Sequence, residues 1–211
     1  MKLVNMPKRW FLAAIVLLGS LVLALSYADA LNDPDKIIDQ ANLAAYYAGT
    51  DGRAEVRMRI FDGQGREQRR QFTVLRRNVE TGGDQEFLVA FSYPSDVRGT
   101  TYLVKKHLDR DDDRWLYLPG LDLVKRISAG DKRTSFVGAH YFYEDVSGRG
   151  SREDTHAMLE TTATDYVLKH TPKIPSEVEF ASYVTWIDRQ TFLPMKIEYT
   201  NAAGKVYRRV E

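Results

Sequence analysis

The sequence predicts one mostly β (α+β) domain, a continuous antiparallel meander of about 11 strands preceded by a helix. Three observations predict it. From Ala54 onward, short apolar or alternating segments recur between turn residues. Connections this short require antiparallel neighbours, because a parallel crossover takes a dozen or more residues. Several of these strands are apolar on both faces, so a sheet wet on one side would leave apolar surface exposed, and something must cover it. A sheet of this many strands curls, splits or closes.

The helix is expected over Asp33–Gly49. Asp33 can cap the free N–H groups, Pro34 fits the first helical position, and Ile37, Ala41, Ala44 and Ala48 recur at helical spacing up to the stop at Gly49. Ala54, Val56, Met58 and Ile60 then alternate with charged residues, giving a strand with one dry and one wet face. Asp62-Gly63-Gln64-Gly65 turns it back into a strand around Phe72 and Val74, and Gly82-Gly83-Asp84 leads into Phe87–Phe91. Thr101–Lys106, Trp115–Leu118 and Leu123–Ile127 follow. Past a long loop, with a short helix expected near Ser135–Tyr141, come Thr155–Thr161, Thr164–Lys169, Val178–Ile187, Leu193–Tyr199 and Val206–Val210. Phe87–Phe91, Trp115–Leu118 and Val178–Ile187 are the strands apolar on both faces. No internal repeat, linker or second composition regime divides the chain.

The N-terminus reads as an export signal. Lys2, Lys8 and Arg9 precede the apolar run Trp10–Leu25, and Ala28-Asp29-Ala30 fits an A-x-A cleavage site. The run is shorter than the ~20 residues of a spanning helix, which favours a cleaved signal over an anchor. Cleavage after Ala30 leaves residues 31–211 as a single domain, with the periplasm as the expected compartment. The chain has no cysteine, which removes both a lipid-attachment site and a disulfide framework, so the domain must be held by its core.

The formal charge of +1 becomes −1 when Lys2, Lys8, Arg9 and Asp29 leave with the signal, and this balance argues against a nucleic-acid binder held by phosphate contacts. His107, His140, His156 and His170 are scattered, without metal-binding spacing, and no G-x-S-x-G elbow is present. We therefore expect no enzyme, no metal and no cofactor.

Arg114–Val146 is the most telling segment: an aromatic strand, a Pro119-Gly120 turn, a basic strand, a Lys/Arg loop and the patch Tyr141-Phe142-Tyr143-Glu144-Asp145. A surface this aromatic without catalytic chemistry suggests a protein that binds something apolar. Here the chain resembles the outer-membrane lipoprotein-sorting protein family, the LolA-like proteins. The resemblance rests on Trp115-Leu116-Tyr117-Leu118-Pro119, Val124-Lys125-Arg126-Ile127-Ser128 and Ser135-Phe136-Val137-Gly138, followed by Tyr143-Glu144-Asp145. Val184–Asp188 and Leu193–Tyr199 match the family's closing hairpin. The resemblance implies an unclosed antiparallel half-barrel with a few helices covering its concave face. It also implies carriage of lipid or lipoprotein acyl chains across the periplasm. A branch associated with RND-type exporters is implied, with an inner-membrane exporter as a partner and a monomeric carrier. The alternative is a periplasmic accessory or sensor module that binds an envelope protein.

Candidate cavity residues are Val56, Met58, Ile60, Phe72, Val74, Phe87, Val89, Phe91, Trp115 and Tyr117; the plainer reading is closed core. Met58 suits a lining position because thioethers adapt to varied ligands. Tyr141, Phe142 and Tyr143 are candidates for a lid or partner surface, or else a core edge. Lys132 and Arg133 are candidates for a lipid head group, or else a solvated loop.

Overall fold

The computed structural model describes residues 32–80 and 82–211; the signal expected over residues 1–30 lies outside them. Helix α1 spans Pro34–Tyr46. The Asp33 carboxylate accepts from the Asp35 N–H at 3.0 Å, and Pro34 occupies the first turn where no N–H is needed. The helix ends at Tyr46, short of Gly49, and side chains of the following strands take the carbonyls there. Arg76 donates to the carbonyls of Tyr46 and Ala48, and Gln85 Nε2 donates to that of Tyr46 at 2.7 Å.

Eleven strands follow. They are β1 (Asp51–Phe61), β2 (Glu67–Asn78), β3 (Gln85–Tyr93), β4 (Thr101–Lys106), β5 (Asp113–Leu118), β6 (Leu123–Ile127), β7 (Asp154–Thr161), β8 (Asp165–Pro172), β9 (Ser182–Asp188), β10 (Pro194–Thr200) and β11 (Val206–Val210). Every pairing is antiparallel between chain neighbours. The meander is not continuous, however. It splits into a six-stranded sheet, β1 to β6, and a five-stranded sheet, β7 to β11, with no ladder between them among the described residues. Among the described residues the result is an unclosed half-barrel with one α-helix.

The break lies in residues 128–153. This connector bonds its backbone largely in local turns, such as Lys132 N–H to the Ala129 carbonyl and Ser147 N–H to the Glu144 carbonyl, and does not extend the ladder past β6. The helix expected near Ser135–Tyr141 is instead a turn closed by an isolated bridge from Ser135 to Phe142. Val137 and Gly138 both take positive φ there, 50° and 79°, which no helix tolerates. Likewise, β9 begins at Ser182, not Val178, because Phe180 leaves the sheet to be buried on the rings of Tyr183 and Tyr199.

Two cores result. The inner face of the first sheet supplies Phe72, Phe87, Val89, Phe91, Tyr102, Val104, Leu116 and Ile127, and the connector lays Phe136 and Tyr143 onto them. On the second sheet Ile37 and Ala41 of α1 pack on Tyr166, Leu168 and Ile187. Helix α1 therefore bridges the halves. Its C-terminal carbonyls are tied to the first sheet by Arg76 and Gln85, while its middle rests on the second through the side chains of Ile37 and Ala41.

Candidate functional site

The strand registers decide which side chains share a face. Val56 is paired with Phe72, Phe72 with Phe91, Val74 with Val89, and Val89 with Tyr102. Val56, Met58, Ile60, Phe72, Val74, Phe87, Val89 and Phe91 thus share the inner face of the first sheet. They do not enclose a cavity together. Phe72, Phe87, Val89 and Phe91 are buried under Phe136, whose ring centroid lies 5.6 Å from Phe91, 5.3 Å from Tyr102 and 5.4 Å from Tyr143. Val56, Met58 and Val74 are half-buried against that core, and Ile60 is half-buried further along β1. Trp115 and Tyr117 alternate with buried Arg114 and Leu116, so they stand on the opposite face of the sheet. They cannot line the same space as the other eight.

The basic pair is engaged internally. Lys132 Nζ lies 2.9 Å from Glu153 and 3.4 Å from Glu144. Arg133 donates to Glu144 at 2.5 Å and forks onto Glu179 at 2.7 and 2.6 Å, with its guanidinium over the rings of Phe142, Phe180 and Tyr199. Arg149 adds contacts to Glu144, Glu153 and Asp154. Glu144, 1% exposed, therefore faces three cations. Burial pushes the Glu179 carboxyl up, but the Arg133 fork outweighs it and holds the group at about 2. The expectation that Lys132 and Arg133 reach a head group is thus replaced by a buried ionic clamp joining the connector to the second sheet. The patch residues divide as well. Tyr143 is core, Phe142 carries the guanidinium groups of Arg133 and Arg208, and Tyr141 donates to the Asp145 carbonyl at 2.7 Å.

The open space lies elsewhere. A cavity of about 250 Å³ runs between α1 and the inner face of the second sheet. Ile38, Ala41, Asn42 and Tyr46 of α1 form its roof, and Tyr183, Thr185, Ile187, Ile197, Tyr199 and Val210 form its floor. Register explains the floor: Thr185 is paired with Ile197, Ile197 with Val210, and Tyr183 with Tyr199, so all point one way. Tyr141 and Arg149 of the connector close one side, and Arg208, ion-paired with Asp145, stands at the rim. Burial pushes the Tyr46 phenol up to about 12, so the roof is uncharged at neutral pH. At one end the His170 ring stacks on Tyr183, centroids 4.3 Å apart, and His156 meets His170 edge-on. A second, wider cleft of about 660 Å³ shares Asn42, Gly148 and Ser151 with the cavity and is lined by charged groups including Lys106, Arg110, Asp112, Arg114 and Arg152.

Apart from Val210, the cavity-floor residues lie in the closing-hairpin and two-faced-strand motifs, but none is among the candidate cavity residues read from the sequence. The signal was present in Val178–Ile187, apolar on both faces, but a strand pattern alone does not say which face the helix covers. Among the described residues no group of three or more His, Cys, Asp or Glu could hold a metal, and no helix is long and apolar enough to cross a membrane.

Two antiparallel sheets left unclosed, with a helix laid over the concave side of one and an apolar cavity beneath it, define the LolA-like half-barrel class. Solved structures agree. The chain is similar to a domain described as an outer membrane lipoprotein-sorting protein domain from Vibrio parahaemolyticus, with 28% identity over 83% of this chain and 75% of that one, and a TM-score of 0.73. It is similar to a DUF1329 family protein from Desulfovibrio piger at 29% identity, covering 84% and 78%, TM-score 0.72. A LolA superfamily protein from Nitrosomonas europaea, 19% identical over 83% and 75% with a TM-score of 0.58, shares the fold. A family model described as "Uncharacterized protein" matches residues 83–211. A search of curated proteins found no match. The chain belongs to the outer membrane lipoprotein-sorting, LolA-like family.

Proposed function

We propose that this protein is a periplasmic carrier that shelters an acyl chain, of a lipid or an acylated lipoprotein, in the cavity between α1 and the second sheet. The observation that carries the reading is the cavity itself: an apolar floor from three adjacent strands beneath a helix seated on only two buried side chains, Ile37 and Ala41. Each methylene moved from water into such a site gains ~0.8 kcal/mol. A space of about 250 Å³ is smaller than usual ligand pockets, which run from ~300 Å³ upward, so a long chain enters by lifting α1. Swinging the middle of α1 uncovers Ile37 and Ala41 and the Tyr166, Leu168 and Ile187 side chains they pack on, while the bonds from Arg76 and Gln85 hold its C-terminal end as a hinge. The adjoining charged cleft is where a polar head stays in water.

In this reading the protein is exported through a cleaved signal over residues 1–30, works as a monomer without catalysis, and exchanges its cargo with an inner-membrane RND-type exporter. The exporter is supported by the family resemblance alone. Native mass spectrometry of protein isolated from the periplasm should show a co-purifying lipid. Protein that is lipid-free and also refuses a fluorescent acyl probe sinks the carrier reading. Capture of an RND-type exporter by lipid-free protein would point to the accessory role instead.

A further inference from the structure

The histidine end of the cavity specifies what kind of lipid fits, an inference that rests on the carrier reading. His170 is 1% exposed and borders the cavity. Its Nδ1 lies 2.7 Å from Nδ1 of His156, and His156 Nε2 lies 2.8 Å from the Ser151 carbonyl oxygen. A carbonyl only accepts, so neutral His156 carries its proton on Nε2 and presents a lone pair at Nδ1. His170 must then donate from Nδ1, which leaves its Nε2 as an acceptor. No described residue donates to that atom, although it is buried. Buried polar groups are almost always hydrogen-bonded, and an acceptor left bare in an apolar wall is costly. Tyr183 cannot serve, since its ring stacks on His170 and its hydroxyl donates to Asp154 at 2.8 Å.

We propose that the cavity selects an acyl or alkyl chain bearing a neutral hydroxyl donor, and that His170 Nε2 accepts its hydrogen bond. His170 is then a specificity-determining residue. A chain without a donor leaves the acceptor unpaired. Apolar packing alone would favour the ether over the alcohol, because the ether is the more apolar of the two, so the expected order of affinity is opposite to the hydrophobic one.

The test is displacement of a fluorescent acyl probe at pH 7.5 by oleyl alcohol and by oleyl methyl ether, which differ by one methyl on oxygen. The wild-type protein should prefer the alcohol at least tenfold, equivalent to about 1.4 kcal/mol. His170→Phe, which keeps the stacked ring and removes Nε2, should collapse the preference to within twofold while still binding the ether. A wild-type protein that binds both equally, or a variant that keeps the preference, overturns the inference and leaves the carrier reading standing. Binding of neither removes both. Independently of any variant, the ¹⁵N signal of His170 Nε2 in wild-type protein should shift on adding oleyl alcohol and not on adding the ether. A signal that already reports a hydrogen bond without ligand, and does not change when the alcohol binds, assigns the donor to water and overturns the inference.

Discussion

Arg133 and Glu144 form a buried ion pair, Nη1 to Oε2 2.5 Å, inside the 128–153 connector, and Arg149, which also faces Glu144, ties that connector to Asp154 of β7 in the second sheet. Both side chains are almost completely covered, at 6% and 2% exposure, and Glu144 also faces Lys132 and Arg149. Removing one member of such a set leaves charge buried without compensation.

Glu144→Gln keeps the shape of the side chain and removes its charge, leaving Lys132, Arg133 and Arg149 facing a neutral amide. We expect a loss of about 3–5 kcal/mol in urea unfolding. Arg133→Ala should cost a similar amount. Because Arg133 is spent on Glu144 and Glu179, the folded fraction of that variant should bind anionic and zwitterionic lipids in the same ratio as wild type.

The pH dependence of stability should carry the mark of His170. Burial first, and the neighbouring His156 second, push its pKa down to about 3, against an ordinary 6.5. Arg149 and the hydrogen-bonded Tyr183–Asp154 pair are the other ionisable groups around it. As the pH falls below about 6.5 the unfolded chain takes a proton that the folded protein refuses until about 3. The stabilisation is therefore present above 6.5 and lost across that window, at up to about 1.4 kcal/mol per pH unit. Between pH 7.5 and 5.0, wild type should lose roughly 2 kcal/mol more than His170→Phe in parallel urea titrations.

The two faces of the molecule can be separated by charge. Ile197→Arg places a guanidinium in the cavity floor and should lower acyl-probe affinity at least tenfold, with the circular dichroism spectrum retained. Trp115→Arg, on the other sheet's outer face, should leave affinity unchanged.

Phe136 should matter for stability and not for uptake. It is 1% exposed among Phe72, Phe91, Tyr102, Tyr141 and Tyr143. Phe136→Ala should cost about 3–5 kcal/mol by chemical denaturation, with uptake per folded molecule within twofold of wild type.

The hinge of α1 is open to hydrogen exchange. Arg76→Ala frees the Ala48 carbonyl and leaves that of Tyr46 to Gln85 alone, so amides of α1 should exchange at least tenfold faster while those of β3 and β4 hold their protection.

Much of this fold is legible in the sequence alone. Asp33-Pro34 announced α1, the period-2 alternation of Ala54 to Ile60 announced β1, and short turns required antiparallel order. The need for a cover was also legible, because Phe87–Phe91 and Val178–Ile187 are apolar on both sides. The candidate cavity was not. Alternation along β2 and β3 groups Phe72, Val74, Phe87, Val89 and Phe91 on one face, but it does not reveal that Phe136, reaching in from a loop that resembled a short helix, fills the space above them.

Local patterns are set by residues within a few positions of one another, and the sequence by itself therefore determined the elements, their antiparallel order and the absence of a disulfide frame. The tertiary structure alone decided which apolar face is packed and which is open. It split the meander at residues 128–153, turned Lys132 and Arg133 from solvent-facing candidates into a clamp, and set His156 beside His170 across the β7–β8 ladder. The physical reason is range: which buried groups find partners depends on contacts between residues 14 to 46 positions apart, such as His156 with His170 and Arg133 with Glu179, and no local pattern encodes them.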